Sequence, residues 1–182
     1  PDGATTIGGY ALYGYDKITG IEIPSSVRSM GSGAFDGCTN LQSIYIADMA
    51  AWLSIDFANG SANPLYYGTD LYLNGVLIEG KLTVPDGATT IGGYALYGYD
   101  KIIDIEIPSS VTIIGSGAFD GCTNLQSITL PFVGAAINSG YAHFGWIFGA
   151  SSYSSNDAYV PASLKTVVLT GGSSISNNAF RA

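Results

Sequence analysis

Residues 102–122 read IIDIEIPSSVTIIGSGAFDGC, and this stretch decides the fold of the chain. The first six residues are apolar at positions one, four and six, and the last three of them alternate, as a half-buried β-strand requires. Pro108 suits a strand end, because proline has no N–H to donate to a neighbouring strand. The closing GSGAFDGC supplies small residues and one large side chain, Phe119, for a turn that packs behind the strand. The stretch therefore predicts one coil, made of a short strand and a compact return turn.

The same stretch belongs to a long internal duplication. Placing residues 1–46 over residues 85–130, at an offset of 84, leaves seven mismatches in 46 positions. Each block divides again into two segments of 23 residues that share the same order of proline, glycine, alanine and apolar strand. A period of about 20 to 29 residues with this composition is typical of a leucine-rich solenoid, in which neighbouring coils cover each other's apolar sides.

The strand pattern recurs along the chain. It appears as ITGIEI at 18–23, LQSIYI at 41–46, LTV at 82–84, LQSITL at 125–130 and LKTVVL at 164–169. Such strands stack in parallel about 4.8 Å apart. We expect residues 1–182 to form one solenoid segment, mostly β-strand and loop, with short helical or irregular turns opposite the strands. Paired repeats are predicted at 1–46 and 85–130, inserts at 47–84 and 131–163, and a partial repeat at 164–182.

The repeat residues resemble a known family, the BspA-like leucine-rich repeat proteins of bacterial cell surfaces. The matching positions are Ile18, Ile21, Ile23, Pro24, Val27, Met30, Gly31, Ala34, Phe35 and Cys38, repeated as Ile102, Ile105, Ile107, Pro108, Val111, Ile114, Gly115, Ala118, Phe119 and Cys122. The other coils depart from the pattern, since Leu12 and Leu96 replace phenylalanine and Tyr15 and Tyr99 replace cysteine. These departures keep a large filler at each position.

This resemblance implies a right-handed leucine-rich-repeat superhelix and a secreted or surface-exposed bacterial protein involved in adhesion. It implies no reaction and assigns no binding residue. The chain opens and closes inside repeats and shows no signal peptide, so we expect it to be an excised part of a longer protein. Truncated repeats leave strand edges and apolar coil faces that invite end-to-end contacts between copies.

The two inserts break the period. In 47–84, LYLNGVLI predicts a hairpin around Asn74-Gly75, and AAWLSIDF predicts one helical turn or an extended piece anchored by apolar side chains. The insert at 131–163 is rich in Gly, Ser and aromatic residues, and we interpret its aromatic side chains as cover for an exposed flank. It also contains His143 and Trp146, which are candidate loop anchors because rigid scaffolds often present functional loops.

Composition excludes several classes of partner. The net charge of −8, with only six Lys and Arg residues, argues against nucleic acid and anionic membranes, both of which attract clustered basic side chains. No apolar run approaches the roughly 20 residues that cross a bilayer. His143 is the only histidine, and HExxH, CxxC and calcium-loop motifs are missing from the sequence. We therefore expect no enzyme, no metal and no cofactor.

Spacing along the stack makes a second set of predictions. Residues 84 apart should be separated by three coils, which is about 14 Å. Paired glycosidase carboxylates lie about 5 to 9.5 Å apart, which argues against Glu22 and Glu106 as such a pair. A disulfide needs Cα atoms within about 7 Å, so Cys38 and Cys122 should be two buried free thiols.

The outward strand positions form a candidate binding face. They include Glu22, Ser43, Tyr45, Lys81, Thr83, Asp104, Glu106, Ser127, Thr129 and Thr166. Four return-turn tyrosines, Tyr10, Tyr13, Tyr94 and Tyr97, are further candidates because exposed tyrosines can anchor proteins or stack on sugars. We hypothesise a non-catalytic segment that binds a protein partner. A carbohydrate-binding or glycan-processing module and a structural spacer remain the alternatives.

Overall fold

The computed structural model describes residues 3–137, 143–172 and 175–181. Predictions that fall on residues 1–2, 138–142, 173–174 and 182 lie outside these described residues. The strands are β1 (Thr6–Ile7), β2 (Gly20–Glu22), β3 (Ser29–Met30), β4 (Ser43–Ile46), β5 (Asp56–Phe57), β6 (Asp70–Leu73), β7 (Val76–Leu77), β8 (Gly80–Thr83), β9 (Thr90–Ile91), β10 (Ile102–Glu106), β11 (Ile113–Ile114), β12 (Ser127–Leu130) and β13 (Thr166–Leu169). The helices are α1 (Met49–Leu53) and α2 (Asn156–Tyr159), with 3₁₀ turns at Gly60–Ala62, Pro64–Tyr67, Phe144–Phe148 and Tyr153–Ser155.

These strands build a parallel-strand solenoid of about five turns. One side carries two four-stranded sheets, ordered β2-β4-β6-β7 and β8-β10-β12-β13. A second side carries the shorter sheets β1-β3-β5 and β9-β11. Every pairing between these strands is parallel except that of β6 with β7. The leucine-rich-repeat fold predicted from the sequence is confirmed.

Inward-pointing residues of the strands form the core. Ile44 lies beside Leu71, and Leu82, Ile105 and Ile128 lie side by side in the other large sheet. All five are at most 5% exposed. Burying an aliphatic side chain of this size stabilises the fold by about 1.5–3 kcal/mol relative to leaving it exposed. The apolar pattern therefore works across coils, since each inward residue is covered by its counterpart one coil away.

Paired glycines set the spacing between coils on the second side. The Gly115 N–H donates to the carbonyl oxygen of Ile91 at 2.8 Å. A Cβ atom on Gly115 would lie 2.6 Å from the Cα atom of Gly93. The first block repeats this arrangement, where a Cβ atom on Gly31 would lie 2.7 Å from the Cα atom of Gly9. The glycine directly after β3 and the one directly after β11 therefore permit a backbone approach that no side chain would allow.

Residues 47–84 contain an additional coil. Helix α1 begins after Asp48, whose side chain accepts a hydrogen bond from the Ala51 N–H. The chain then forms β5, which pairs with β3, and β6, which pairs with β4. The apolar anchors of this coil, Trp52, Leu53, Ile55 and Phe57, are all buried. This coil spaces its strands by 27 residues, Ser43 to Asp70, and so escapes the 23-residue pattern. The three coils estimated between residues 84 apart stay a prediction, because β7 and β8 share no ladder across which the steps can be counted.

Asn74 and Gly75 reverse the chain between β6 and β7. Both have positive φ, 51° and 80°, as the hairpin turn favoured by an Asn-Gly pair requires. Strand β7 then runs antiparallel to β6, with Leu73 opposite Val76. The additional coil consequently ends in a hairpin, and the second large sheet begins with β8.

Tyr99 lies at the boundary between the two large sheets. Its hydroxyl accepts a hydrogen bond from the Leu71 N–H at 3.2 Å and donates one to the Ile78 carbonyl oxygen at 2.6 Å. The Ile78 N–H donates to the Leu71 carbonyl oxygen at 2.9 Å, so an uninterrupted hairpin would join Leu71 N–H directly to Ile78. The tyrosine hydroxyl thus replaces one rung of the β6–β7 ladder. Burial raises the pKa of Tyr99 to about 12, which keeps this hydroxyl protonated at neutral pH.

We predict that Gly115→Ala lowers the free energy of unfolding by about 1–3 kcal/mol, because the added methyl group forces two coils apart. Gly87→Ala is the matched control, since nothing lies within 4 Å of a Cβ atom there and its φ is unstrained. Urea denaturation of both variants measures the difference. Equal stability of the two variants would contradict the close approach at Gly115.

Tyr99→Phe should cost about 1–3 kcal/mol of unfolding free energy, because it leaves the buried Leu71 N–H and the partly buried Ile78 carbonyl without a partner. Tyr15→Phe changes the equivalent residue of the first block, which is 53% exposed, and should shift stability by less than about 0.5 kcal/mol. Thermal and urea denaturation compare the pair. A loss of similar size in both variants would argue against the hydroxyl bridge.

Candidate functional site

Two rows of outward side chains run along the large sheets, and we call them together the strand face. Strand register aligns Gly20, Ser43 and Asp70 in the first row, followed by Lys81, Asp104, Ser127 and Thr166. It aligns Glu22, Tyr45 and Tyr72 in the second row, followed by Thr83, Glu106, Thr129 and Val168. All ten strand residues singled out from the sequence therefore lie in the outward rows of one or the other large sheet. Asp70 and Tyr72 were missed because they belong to the additional coil, although the alternation in DLYL points both outward.

The strand face has an aromatic centre. Tyr45 and Tyr72 stack with their ring centroids 5.2 Å apart and an angle of 27° between the ring planes. Gly20 leaves room for Tyr45, since a Cβ atom on Gly20 would lie 3.1 Å from the tyrosine ring. Tyr45 stays 42% exposed and Tyr72 is half-buried. The pair therefore presents a preorganised aromatic surface to solvent.

Charged side chains lie in and beside both rows. Lys81 Nζ lies 2.8 Å from Glu106 Oε2 and 3.9 Å from Asp104 Oδ2. Lys101 Nζ lies 3.1 Å from Asp70 Oδ1. The hydrogen bond to Glu106 raises the pKa of Lys81, and the one to Asp70 raises the pKa of Lys101. Both lysines are therefore cationic at neutral pH, yet the acidic residues of these clusters outnumber them.

Return-turn tyrosines form a second, separate group. Tyr10 and Tyr13 pack edge to face at 5.8 Å and are exposed, at 60% and 68%. Tyr94 and Tyr97 pack in the same way at 5.7 Å but are half-buried, because Tyr66 of the additional coil lies 5.7 Å from Tyr97. The duplicated tyrosines thus have different surroundings in the two blocks.

Tyr67 ties this tyrosine group to its neighbouring coil. Its hydroxyl donates a short hydrogen bond to the Asp36 carboxylate. Burial, together with that bond, raises the pKa of Tyr67. The ring of Tyr94 similarly covers Gly117, where a Cβ atom would lie 3.1 Å from the ring. These contacts hold adjacent coils together. Much of the ring surface in this group is therefore buried between coils and is not available to a ligand.

His143 and Trp146 lie against the solenoid. His143 is buried, and its Nδ1 lies 3.2 Å from Oδ1 of Asn156. The same Asn156 oxygen accepts a hydrogen bond from the Gly145 N–H at 2.9 Å. Trp146 is half-buried and donates from Nε1 to the Ile114 carbonyl oxygen at 3.0 Å. Both side chains of this insert therefore make the contacts of packing residues.

Within the described ranges, no group of three His, Cys, Asp or Glu side chains is arranged to hold a metal ion. No helix there is both long and apolar enough to cross a membrane.

Differences between the duplicated blocks gather on the outside of the solenoid. Five of the seven differing pairs are exposed or half-buried, namely Thr19/Ile103, Gly20/Asp104, Arg28/Thr112, Ser29/Ile113 and Tyr45/Thr129. The other two, Met30/Ile114 and Ile46/Leu130, exchange one buried apolar residue for another. The blocks therefore share an interior and differ in the surface that they present.

The model of the BspA type leucine-rich repeat region matches residues 1–57 and 78–142 in six copies. The chain belongs to this BspA-type family. Its leucine-rich-repeat scaffold is typical of protein-interaction modules on bacterial surfaces, and the family consists of non-catalytic repeat proteins. No curated relative matches the chain.

Three solved structures resemble this BspA-type chain. A leucine-rich repeat protein from Bacteroides ovatus ATCC 8483 is 26% identical over 70% of the chain and 35% of its own length, with a TM-score of 0.40. The T. pallidum leucine-rich repeat protein is 23% identical over 68% of the chain and 62% of its own length, with a TM-score of 0.37. A leucine-rich cell surface protein from Faecalibacterium prausnitzii A2-165 is 18% identical over 95% of the chain and 53% of its own length, with a TM-score of 0.42. The chain thus spans less than two thirds of each of these proteins.

The cysteine positions of the BspA-type repeat hold two free, buried thiols, as the sequence predicts. Cys38 Sγ donates to the Leu12 carbonyl at 3.2 Å, and Cys122 Sγ donates to the Leu96 carbonyl at 3.3 Å. Burial raises the pKa of Cys38, and it raises the pKa of Cys122 to about 12.

We expect neither thiol to react with a disulfide reagent at pH 8 while the chain is folded, because the reactive species is the thiolate and both positions disfavour it. Both should react at once in concentrated urea. Absorbance of the released thiol counts the reacted groups. Rapid modification of the folded chain would show that the cysteine side of the coils is open.

Proposed function

We propose that this segment binds a protein partner through the strand face, as a non-catalytic adhesion module outside the bacterial cell. The stacked Tyr45–Tyr72 pair carries the proposal. Tyrosine is over-represented among the residues that dominate binding energy, and it performs best when its ring is held in place before binding. Here the stacking of the two rings holds them against each other, and the missing side chain at Gly20 leaves room for the Tyr45 ring.

The distribution of differences between the two blocks supports the same surface. Tyr45 of the first block corresponds to Thr129, and Gly20 corresponds to Asp104, so the aromatic centre occurs in one block alone. The core stays nearly constant while these outward positions differ, so the two blocks present different side chains on one scaffold. The solenoid therefore offers one aromatic and one charged region to a single extended partner.

Charge defines the partner further. With a net charge of −8, and with acids outnumbering lysines around the strand face, the segment should prefer a basic protein surface. We propose an extracellular location, which membership of the BspA-type family supports. We also propose that residues 1–182 act as one solenoid segment, in which the repeats supply the scaffold and the inserts supply individual features.

We predict that Tyr45→Ala combined with Tyr72→Ala weakens binding to a protein partner at least tenfold, because it removes the aromatic centre of the contact surface. Tyr13→Ala is the matched control, since Tyr13 is more exposed but lies on the return turns. Surface plasmon resonance against a panel of purified host matrix proteins, with a glycan array in parallel, gives the measurement.

The two arms of this experiment separate the alternatives. A protein ligand whose affinity depends on Tyr45 and Tyr72 supports the proposal. A glycan ligand without a protein ligand would indicate a carbohydrate-binding module and overturn it. Blank results on both arms would leave a spacer as the better account. Salt provides a further check. The affinity for a basic partner should fall as NaCl is raised from about 50 to about 500 mM, because dissolved ions screen the charges and the Debye length is already only about 10 Å at 0.1 M.

A further inference from the structure

Strand β8 has an open edge in the middle of the solenoid. Among residues 3–137, β7 ends one large sheet and β8 begins the other, and the two strands share no ladder. An inner strand of such a solenoid normally has a partner on each side. β8 has a partner only on the side of β10.

The hydrogen bonds of β8 show which of its backbone N–H and C=O groups do not bond to β10. The Gly80 N–H donates to the Lys101 carbonyl and the Val84 N–H donates to the Glu106 carbonyl, each at 2.9 Å. In a parallel strand, alternate residues direct both their N–H and C=O groups to the same neighbour. Gly80, Leu82 and Val84 therefore serve β10. The N–H and C=O groups of Lys81 and Thr83 point the other way, where the described residues provide no strand.

Side-chain exposure agrees with an edge position. Lys81 and Thr83 are exposed, whereas Ser127 and Thr129, which occupy the same two rows on the inner strand β12, are half-buried. Thr166, on the outer strand β13, is exposed like the β8 residues. Exposure alone does not single out β8, since Glu106 on the inner strand β10 is exposed as well, so the unused backbone groups carry the assignment.

Tyr99 and Gly80 explain why the hairpin does not close this edge. The Tyr99 hydroxyl separates the Leu71 N–H from the Ile78 carbonyl, so β7 stops pairing with β6 at that point. Gly80 then turns the chain with a φ of +69°, a conformation that favours glycine. These two residues direct the chain into β8 before β7 can form a ladder with it.

We propose that β8 is a docking edge for an extended, basic segment of the partner protein, which pairs with Lys81 and Thr83 as an added strand. Strand addition of this kind takes affinity from main-chain hydrogen bonds and specificity from alternate side chains. Charge supports a basic occupant, because the acids near β8 outnumber the lysines. Asp104 and Glu106 on β10 share the one cation of Lys81, Asp70 pairs with Lys101, and Glu79 precedes the strand. The inference rests on the proposed function, because it specifies which part of the strand face the partner uses.

Amide hydrogen exchange tests the edge without any ligand. The amides of Lys81 and Thr83 should exchange at least tenfold faster than those of Leu82 and Val84, because only the latter two have acceptors on β10. Nuclear magnetic resonance of the full chain resolves these four amides individually. Equal protection of all four would show that the edge is already paired and would overturn the inference.

A synthetic peptide tests the docking itself. The probe is an acetylated hexapeptide of alternating lysine and valine, and its counterpart carries glutamate in place of lysine. The lysine peptide should shift the amide resonances of Lys81 and Thr83 and bind at least tenfold more tightly than the glutamate peptide. N-methylation of one alternate set of peptide amides should abolish binding, and N-methylation of the other set should leave it intact, because only one edge of the added strand faces β8.

Two variants of one residue complete the test. Thr83→Pro removes an N–H that β10 does not use, so an edge strand tolerates it, and it should weaken the lysine peptide about tenfold. Thr83→Val keeps the N–H and should bind like the original chain. If Thr83→Pro fails to fold, the N-methylated peptides decide the question.

The outcomes separate this inference from the proposed function. Absence of binding by the lysine peptide, equal binding of both peptides, or insensitivity to N-methylation would each overturn the docking edge. A matrix protein that requires Tyr45 and Tyr72 yet binds Thr83→Pro normally would keep the proposed function and reject the edge. Concentration-dependent dimers of the free chain that disappear in Thr83→Pro would assign the edge to self-association and reject a basic partner.

Discussion

Each coil of this chain carries an apolar side that only a neighbouring coil can cover. Leu82, Ile105 and Ile128 illustrate this dependence, because each is buried by its counterparts and none could be buried within its own coil. Glycine pairs such as Gly93 and Gly115 bring the backbones close enough for this packing. The outward rows of the strand face are a by-product of the same alternation, since a side chain that does not point into the stack points to solvent.

The regular part of this arrangement was predictable from sequence. Period-two alternation in segments such as IIDIEI specifies which residues point inward, and Pro108 marks where the strand ends. The additional coil was not recognised, because it spaces Ser43 and Asp70 by 27 residues and replaces the proline turn with helix α1. Tyr72 was missed for this reason, although it completes the aromatic centre of the candidate site. Local pattern therefore predicts a coil only while the spacing between coils stays constant.

The two duplicated blocks also contain identical residues that have different surroundings, which the sequence did not indicate. Tyr15 and Tyr99 occupy the same position in two matching blocks, yet one is exposed and the other replaces a rung of a strand ladder. The difference comes from the additional coil, whose residues Leu71 and Ile78 precede Tyr99 by 28 and 21 positions. His143 and Trp146 show the same limit in the irregular insert, where hydrogen bonds to Asn156 and Ile114 decide their positions and no periodic pattern exists to predict them.

The division of the strands into two sheets has a mechanical consequence. If the segment holds a partner as we propose, a pull on that partner loads the solenoid along its stack and passes from coil to coil. Across most of the stack, ladders of backbone hydrogen bonds share it. At the boundary between β7 and β8 the strand ladder is interrupted. One backbone bond, from the Gly92 N–H to the Leu53 carbonyl, and side-chain bonds of Trp52, Asn63 and Tyr99 cross between the coils there. Because the strand ladder is interrupted there, we expect the solenoid to stretch at that level before it stretches elsewhere. The level lies beside the surface to which we assign binding.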